Sequence, residues 1–164
     1  MRGDSVKENY QKTMEEIIEQ EQMNKRIPTL LLHACCAPCS SSVLERLSSF
    51  FEITIYYYNP NISSYEEYQK RVDEIKRFIS ELNTKNEIHF MEGKYDPESF
   101  DMIAKGLEQE PEGGARCSKC YHLRLKETAL VAKQNNFDYF TTTLSVSPYK
   151  NAEKLNNIGR ALEK

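Results

Sequence analysis

The stretch Thr29-Leu30-Leu31-Leu32-His33-Ala34-Cys35-Cys36-Ala37-Pro38-Cys39 decides the fold. Its first half is a short apolar run bounded by Pro28, which predicts a strand buried on both faces. Its second half passes at once into three cysteines, so this strand ends at a chemical motif and not at a plain turn. Just beyond, Ser40, Ser41 and Ser42 offer an N-cap hydroxyl for a helix running through Val43, Leu44 and Leu47.

Outward from that stretch, strand and helix signals alternate. Ile53 to Tyr58 is β-branched and aromatic, and Asn59-Pro60-Asn61 stops it abruptly, predicting a second strand and a turn. From about Tyr65 to Leu82 the apolar positions Tyr68, Val72, Ile75, Phe78, Ile79 and Leu82 recur at three and four residues, the period of an amphipathic helix. Glu87 to Met91 predicts a third strand, Cys117 to Lys133 a helix, Asp138 to Val146 a fourth strand, and Asn151 to Lys164 a further helix. Gly106 to Gly114 reads as a long active-site loop. Residues 5–25 are highly charged and predict an outer helix or partly ordered arm. Parallel neighbours need crossover connections, so the expected fold is an α/β, Rossmann-like parallel sheet with helices on both faces. In such sheets ligands bind beyond the carboxyl ends of the strands. HACCAPC, YNPN and SPYKN all fall at that edge.

The chain of 164 residues, 39% apolar and 29% charged, suits one domain with a real core. No run approaches the roughly 18 apolar residues of a membrane span, and the first residues lack the apolar core of a secretory signal, so a cytoplasmic protein is expected. The formal charge of −3 argues against a general basic surface for nucleic acid, leaving only a local patch for RNA.

The five cysteines fall into two groups, Cys35, Cys36 and Cys39 near one end and Cys117 and Cys120 in RCSKC nearly half the chain away. All sit beside turn signals, which disfavours plain core packing, and a reducing compartment disfavours a disulfide framework. Read by spacing, Cys36-x-x-Cys39 with Cys117-x-x-Cys120 makes a four-thiolate site for zinc or an iron–sulfur cluster. A zinc ribbon separates its pairs by about 15–20 residues, whereas strands and a long helix intervene here. The vicinal pair Cys35-Cys36 also suits separated iron atoms better than one tetrahedral ion. His33, at a strand end, reads as more often structural than catalytic.

Beyond these readings, HACCAPCSSS (33–42), YYYNPNI (56–62), EYQKR (67–71), RCSKCYHLRL (116–125) and TTTLSVSPYKN (141–151) resemble, in order, the motifs of the epoxyqueuosine reductase QueH family. The resemblance runs from about Leu30 to the chain end. It implies a Rossmann-like catalytic domain over 26–164, of the adenine nucleotide α-hydrolase type, with residues 1–25 as a charged arm. It also implies a [4Fe-4S] cluster on Cys35, Cys36, Cys117 and Cys120, and reduction of epoxyqueuosine to queuosine at the tRNA wobble position. Cys39 is then a spare thiol, a catalytic candidate or a ligand to a second adjacent metal ion.

Tyr149 and Lys150, with Tyr58, are candidate proton donors at the strand edge. Candidates for substrate contact are Asn59, Asn61, Arg71, Ser147, and Arg116 and Arg124, the last two because they flank ligands and carry charge suited to RNA phosphates. Tyr56, Tyr57 and Tyr58 are candidates for stacking on an unstacked base. An external electron donor is implied. No ATP is expected, since HACCAPC replaces a phosphate loop and no GxxxxGK occurs. Family members usually carry a further Tyr-Cys-Gly-Cys segment that these 164 residues lack, so slow turnover with intact cluster assembly is expected. The alternatives are a zinc- or cluster-binding RNA-binding or tRNA sulfur-transfer protein, and a structural metal module.

Overall fold

Strand β1 (Thr29–His33) is central because it is apolar on both faces, with Leu31 and Leu32 fully buried. The computed structural model that shows this describes residues 9–146 and 152–163. Around β1 lie β2 (Glu52–Tyr57), β3 (Ile88–Glu92) and β4 (Tyr139–Thr142), all parallel, in the order β3-β2-β1-β4. The register pairs His33 with Tyr56 on one side and with Thr142 on the other, so three strands end level.

One face, carrying Leu30, Leu32, Ile53, Ile55 and Tyr57, is covered by α1 (Tyr10–Met23), α2 (Ala37–Leu47) and α3 (Tyr65–Glu81) through Ile18, Leu44, Leu47, Tyr68, Val72 and Ile75. The other face, carrying Leu31, Tyr56 and Phe140, meets α5 (Ala115–Gln134) through Leu123, Val131 and Ala132. Helix α6 (Ala152–Leu162) packs Leu155 against Tyr121 and Leu125 of α5. This is the expected Rossmann-like α/β arrangement with helices on both faces. Among the described residues, no helix is long and apolar enough to cross a membrane.

Three boundaries differ from the sequence expectation. Helix α2 starts at Ala37, with Cys36 as its N-cap and Pro38 in the first turn, because proline supplies the helical φ and lacks the N–H that would go unpaired there. Ser40 therefore lies inside the helix and donates to the Cys36 carbonyl (2.8 Å) instead of capping. Strand β4 stops at Thr142, whose hydroxyl accepts the Leu144 N–H (3.1 Å) and turns the chain into a 3-10 helix, Thr143–Val146. A short helix, α4 (Pro97–Ala104), fills a stretch between β3 and the Gly106 to Gly114 loop for which no element is expected from sequence. Its signal was present: Asp96 accepts from the Ser99 N–H (3.3 Å) and Pro97 occupies the first turn.

Candidate functional site

The carboxyl ends of β1 and β4 carry the chemistry. Beyond His33 the chain places the sulfurs of Cys35, Cys36 and Cys39 within 4.8 Å of one another, with Cys35 and Cys36 3.8 Å apart. Cys36 in extended conformation and Cys39 in the first turn of α2 put all three near a helix N-terminus, whose unpaired N–H groups favour thiolates. Cys117 and Cys120 stand in the first two turns of α5 and are not part of that close triad. They are brought to the same region: Cys35 and Cys117 pack against one cluster of Tyr121, Leu125, Leu144 and Leu155. All five cysteines are free.

Between the two groups lies Arg124, only 4% exposed. One guanidinium nitrogen donates to Asn59 Oδ1, and the other terminal nitrogen stands 3.9 Å from Cys120 Sγ. Its Nε has no partner, and no carboxylate pairs with it among the described residues. Asn59, 2% exposed, is held in turn by donating to the Ala34 carbonyl (2.9 Å). A buried cation without a counter-charge is costly. The cysteine sulfurs are ionisable groups set close to it.

The thiols are not equivalent. Burial pushes Cys35 up, but the Thr143 hydroxyl, then Arg124, outweigh it and hold this thiol below its ordinary value. For Cys39, burial and the neighbouring Cys36 and Cys35 act together, pushing it up to about 12. Cys35 is thus disposed to ionise while Cys39 keeps its proton. Of two further groups, Thr143 was not singled out from sequence, and Tyr57 was singled out only as a candidate for base stacking. Thr143, fully buried, bonds both the amide and the sulfur of Cys35. The Tyr57 hydroxyl is buried with no partner in bonding geometry, although Asn59 lies close enough to favour its phenolate; burial dominates and raises it to about 12. The TTT run after a buried strand was the available signal for Thr143.

His33 is structural in its bonding. Its Nε2 faces the Tyr58 carbonyl (2.9 Å), which only accepts, so that nitrogen carries the proton and Nδ1 accepts from the Thr142 hydroxyl (3.0 Å). Burial, then Arg124, lower it to about 3, keeping it neutral.

The remaining candidates scatter. Tyr56, Tyr57 and Tyr58 are 3%, 0% and 5% exposed; Tyr56 and Tyr58 stack on each other at 6.2 Å, so none offers an open face to a base. Asn61 is exposed in the turn after β2. Arg71 is half-exposed and pairs with Glu67 (2.8 Å) one turn earlier on α3. Arg116 reaches the Glu108 carbonyl at 3.5 Å, within the loop before α5. Ser147, Tyr149 and Lys150 lie outside the described residues.

Comparison with known proteins bears on this arrangement. The family model described as epoxyqueuosine reductase QueH matches residues 30–164. Epoxyqueuosine reductase QueH of Streptococcus pyogenes is 40% identical over 158 residues, covering 95% of this chain and 62% of that protein. Its namesake from Staphylococcus epidermidis is 40% identical over 155 residues, covering 92% of this chain and 65% of the other. That of Staphylococcus aureus is 36% identical over 160 residues, covering 95% and 67%. The chain thus spans somewhat under two thirds of the length of the first two relatives. With the family match extending from β1 through both cysteine groups to the last residue, the chain belongs to the epoxyqueuosine reductase QueH family.

Proposed function

We propose that this chain is the cluster-bearing part of an epoxyqueuosine reductase, an oxidoreductase acting on tRNA that carries epoxyqueuosine at the wobble position. The observation that carries this reading is the buried Arg124, without a carboxylate partner among the described residues, between two groups of free thiols at the carboxyl edge of the sheet. Cys35, Cys36, Cys117 and Cys120 would hold a [4Fe-4S] cluster. A lone guanidinium, a helix N-terminus and the Thr143 hydroxyl fit the negative charge of such a group.

Conversion of an epoxide to an alkene consumes two electrons and two protons and releases water. A bound cluster supplies single-electron transfer and Lewis-acidic iron; the electrons come from an external one-electron donor. The chain's own residues do the rest. Arg124 and Asn59 form a rigid polar floor, and Cys39, which keeps its proton, is a proton-bearing group at the site. Tyr149 and Lys150 remain further proton-donor candidates. Phosphate contacts fall to Arg71 and Arg116, both partly exposed on helices, and Asn61 and Ser147 remain substrate-contact candidates. Arg124 is turned inward, and its place in this reading is with the thiolates and not with RNA. A cytoplasmic location goes with a tRNA substrate.

The close triad of Cys35, Cys36 and Cys39 favours one second reading, a single metal ion such as zinc bound there, alone or beside the cluster. Anaerobic reconstitution with iron, sulfide and zinc analysis separates the two. Coupled to nucleoside mass spectrometry of epoxyqueuosine-tRNA after incubation with a chemical reductant, it tests the function. Iron and sulfide in near-equal amounts with queuosine formed are expected; stoichiometric zinc in colourless protein, with no product, sinks the proposal.

A further inference from the structure

We propose that Thr143 is a positioning residue for the cluster, its hydroxyl donating a hydrogen bond to the Cys35 thiolate and so setting the reduction potential of the group held there. The inference rests on the cluster reading above.

A threonine hydroxyl has one proton and two lone pairs. The Cys35 N–H donates to Thr143 Oγ1 at 3.2 Å, which uses a lone pair and leaves the hydroxyl proton to be placed elsewhere. Cys35 Sγ lies 3.5 Å from the same oxygen, and among the described residues Thr143 has no other partner. With the sulfur deprotonated, as a metal ligand must be, only the threonine can be the donor. The adjacent Thr142 shows the contrast. Its proton goes to His33 Nδ1 (3.0 Å) while its oxygen accepts the Leu144 N–H (3.1 Å), so these two bonds serve the histidine and the backbone turn. Thr143 is fully buried, so water does not compete for its proton. Hydrogen bonds to coordinating sulfur withdraw electron density from it and raise the potential of an iron–sulfur group.

Thr143→Val keeps the shape and removes the donor; Thr143→Ser keeps the donor and removes the methyl. In anaerobically reconstituted protein, spectroelectrochemical titration is expected to place the Thr143→Val cluster at a more negative potential than wild type, with Thr143→Ser at the wild-type value. Equal potentials in all three, or an equal shift in both variants, would overturn the proposal. The metal-free protein gives a second readout. Iodoacetamide labelling mapped by mass spectrometry is expected to slow several-fold at Cys35 in Thr143→Val relative to Cys120 of the same chain, because less thiolate is present. Unfolding would instead speed labelling at both positions; in that event Thr143→Ala, which lacks the donor without the bulk of valine, is held to the same expectation. An unchanged Cys35 to Cys120 ratio in a folded variant rejects the hydrogen bond. Wild-type protein that binds no iron or sulfide would refute the cluster reading, while the labelling ratio would still decide the role of Thr143.

Discussion

The two ends of β1 and β4 handle their polar groups in opposite ways. At the amino end, Asp138 accepts from the Thr29 amide (2.9 Å) and hydroxyl (3.1 Å) and from Arg26, while its own amide donates to Thr29 (3.0 Å). Arg26 also approaches Glu21 (3.7 Å), which takes the Tyr139 hydroxyl at 2.7 Å, so two carboxylates and a guanidinium tie α1 to the sheet. Glu21 Oε2 alone is left over. At the carboxyl end stand, among the described residues, a guanidinium with no carboxylate, five free thiols, and unpaired Arg124 Nε and Tyr57 hydroxyl. Closed networks hold a fold together; the open one has groups left to bind something.

The hardest test of that contrast is at the ligands. Cys35→Ser, Cys36→Ser, Cys117→Ser and Cys120→Ser should each lose most bound iron and sulfide, whereas Cys39→Ser retains more, measured by metal analysis after anaerobic reconstitution. Loss at Cys39 with retention at Cys35 would replace this ligand set with the paired CxxC arrangement.

Arg124→Met should separate the loaded and metal-free states. In the metal-free protein the cost is about 1–3 kcal/mol, from Asn59 Oδ1 left without its donor. In the loaded protein, loss of the counter-charge should speed iron release to a chelator by something on the order of 10–100-fold. Equal effects on urea unfolding of both states would mean that Arg124 is merely structural and would break the comparison.

Asp138→Asn probes the closed end. The amide bond from Thr29, then Arg26, hold the Asp138 carboxyl below its usual range against the opposing effect of burial. A depressed carboxylate adds stability above its unfolded pKa, and that stability is lost as pH falls through the folded value. The variant should therefore be less stable than wild type at pH 7, by less than about 1 kcal/mol because solvent screens the exposed pair, with the gap narrowing below about pH 4. Urea midpoints at both pH values decide it; a constant gap would show that ionisation of Asp138 plays no part.

The smallest effect is expected at Arg71→Ala. Its exposed pair with Glu67 is screened by solvent, so the urea midpoint should barely move. If Arg71 meets an RNA phosphate, the salt slope of tRNA binding should flatten by about one unit; an unchanged slope removes it from the interface.

Much of this molecule was legible in its sequence because the signals are local. Four short runs of apolar, β-branched or aromatic residues, the three-and-four spacing along α3 and the turn at Asn59-Pro60-Asn61 each report the path of a few neighbouring residues. The parallel sheet follows from their alternation, and the two cysteine groups announce metal or redox chemistry by residue type. Boundaries slipped where one residue overrode its neighbours, as Pro38 did at the start of α2 and Thr142 at the end of β4.

Tertiary structure alone decided which side chains complete the site. Arg124 reads in the sequence as a candidate contact for RNA phosphates, yet packing of α5 against the sheet buries it on Asn59, 65 residues away in the chain. Thr143 meets Cys35 across 108 residues, and Asp138 meets Thr29 across 109, because β4 is laid beside β1. Side-chain hydrogen bonds act over about 3 Å in space, and no periodicity along the chain records which distant strand will supply the partner.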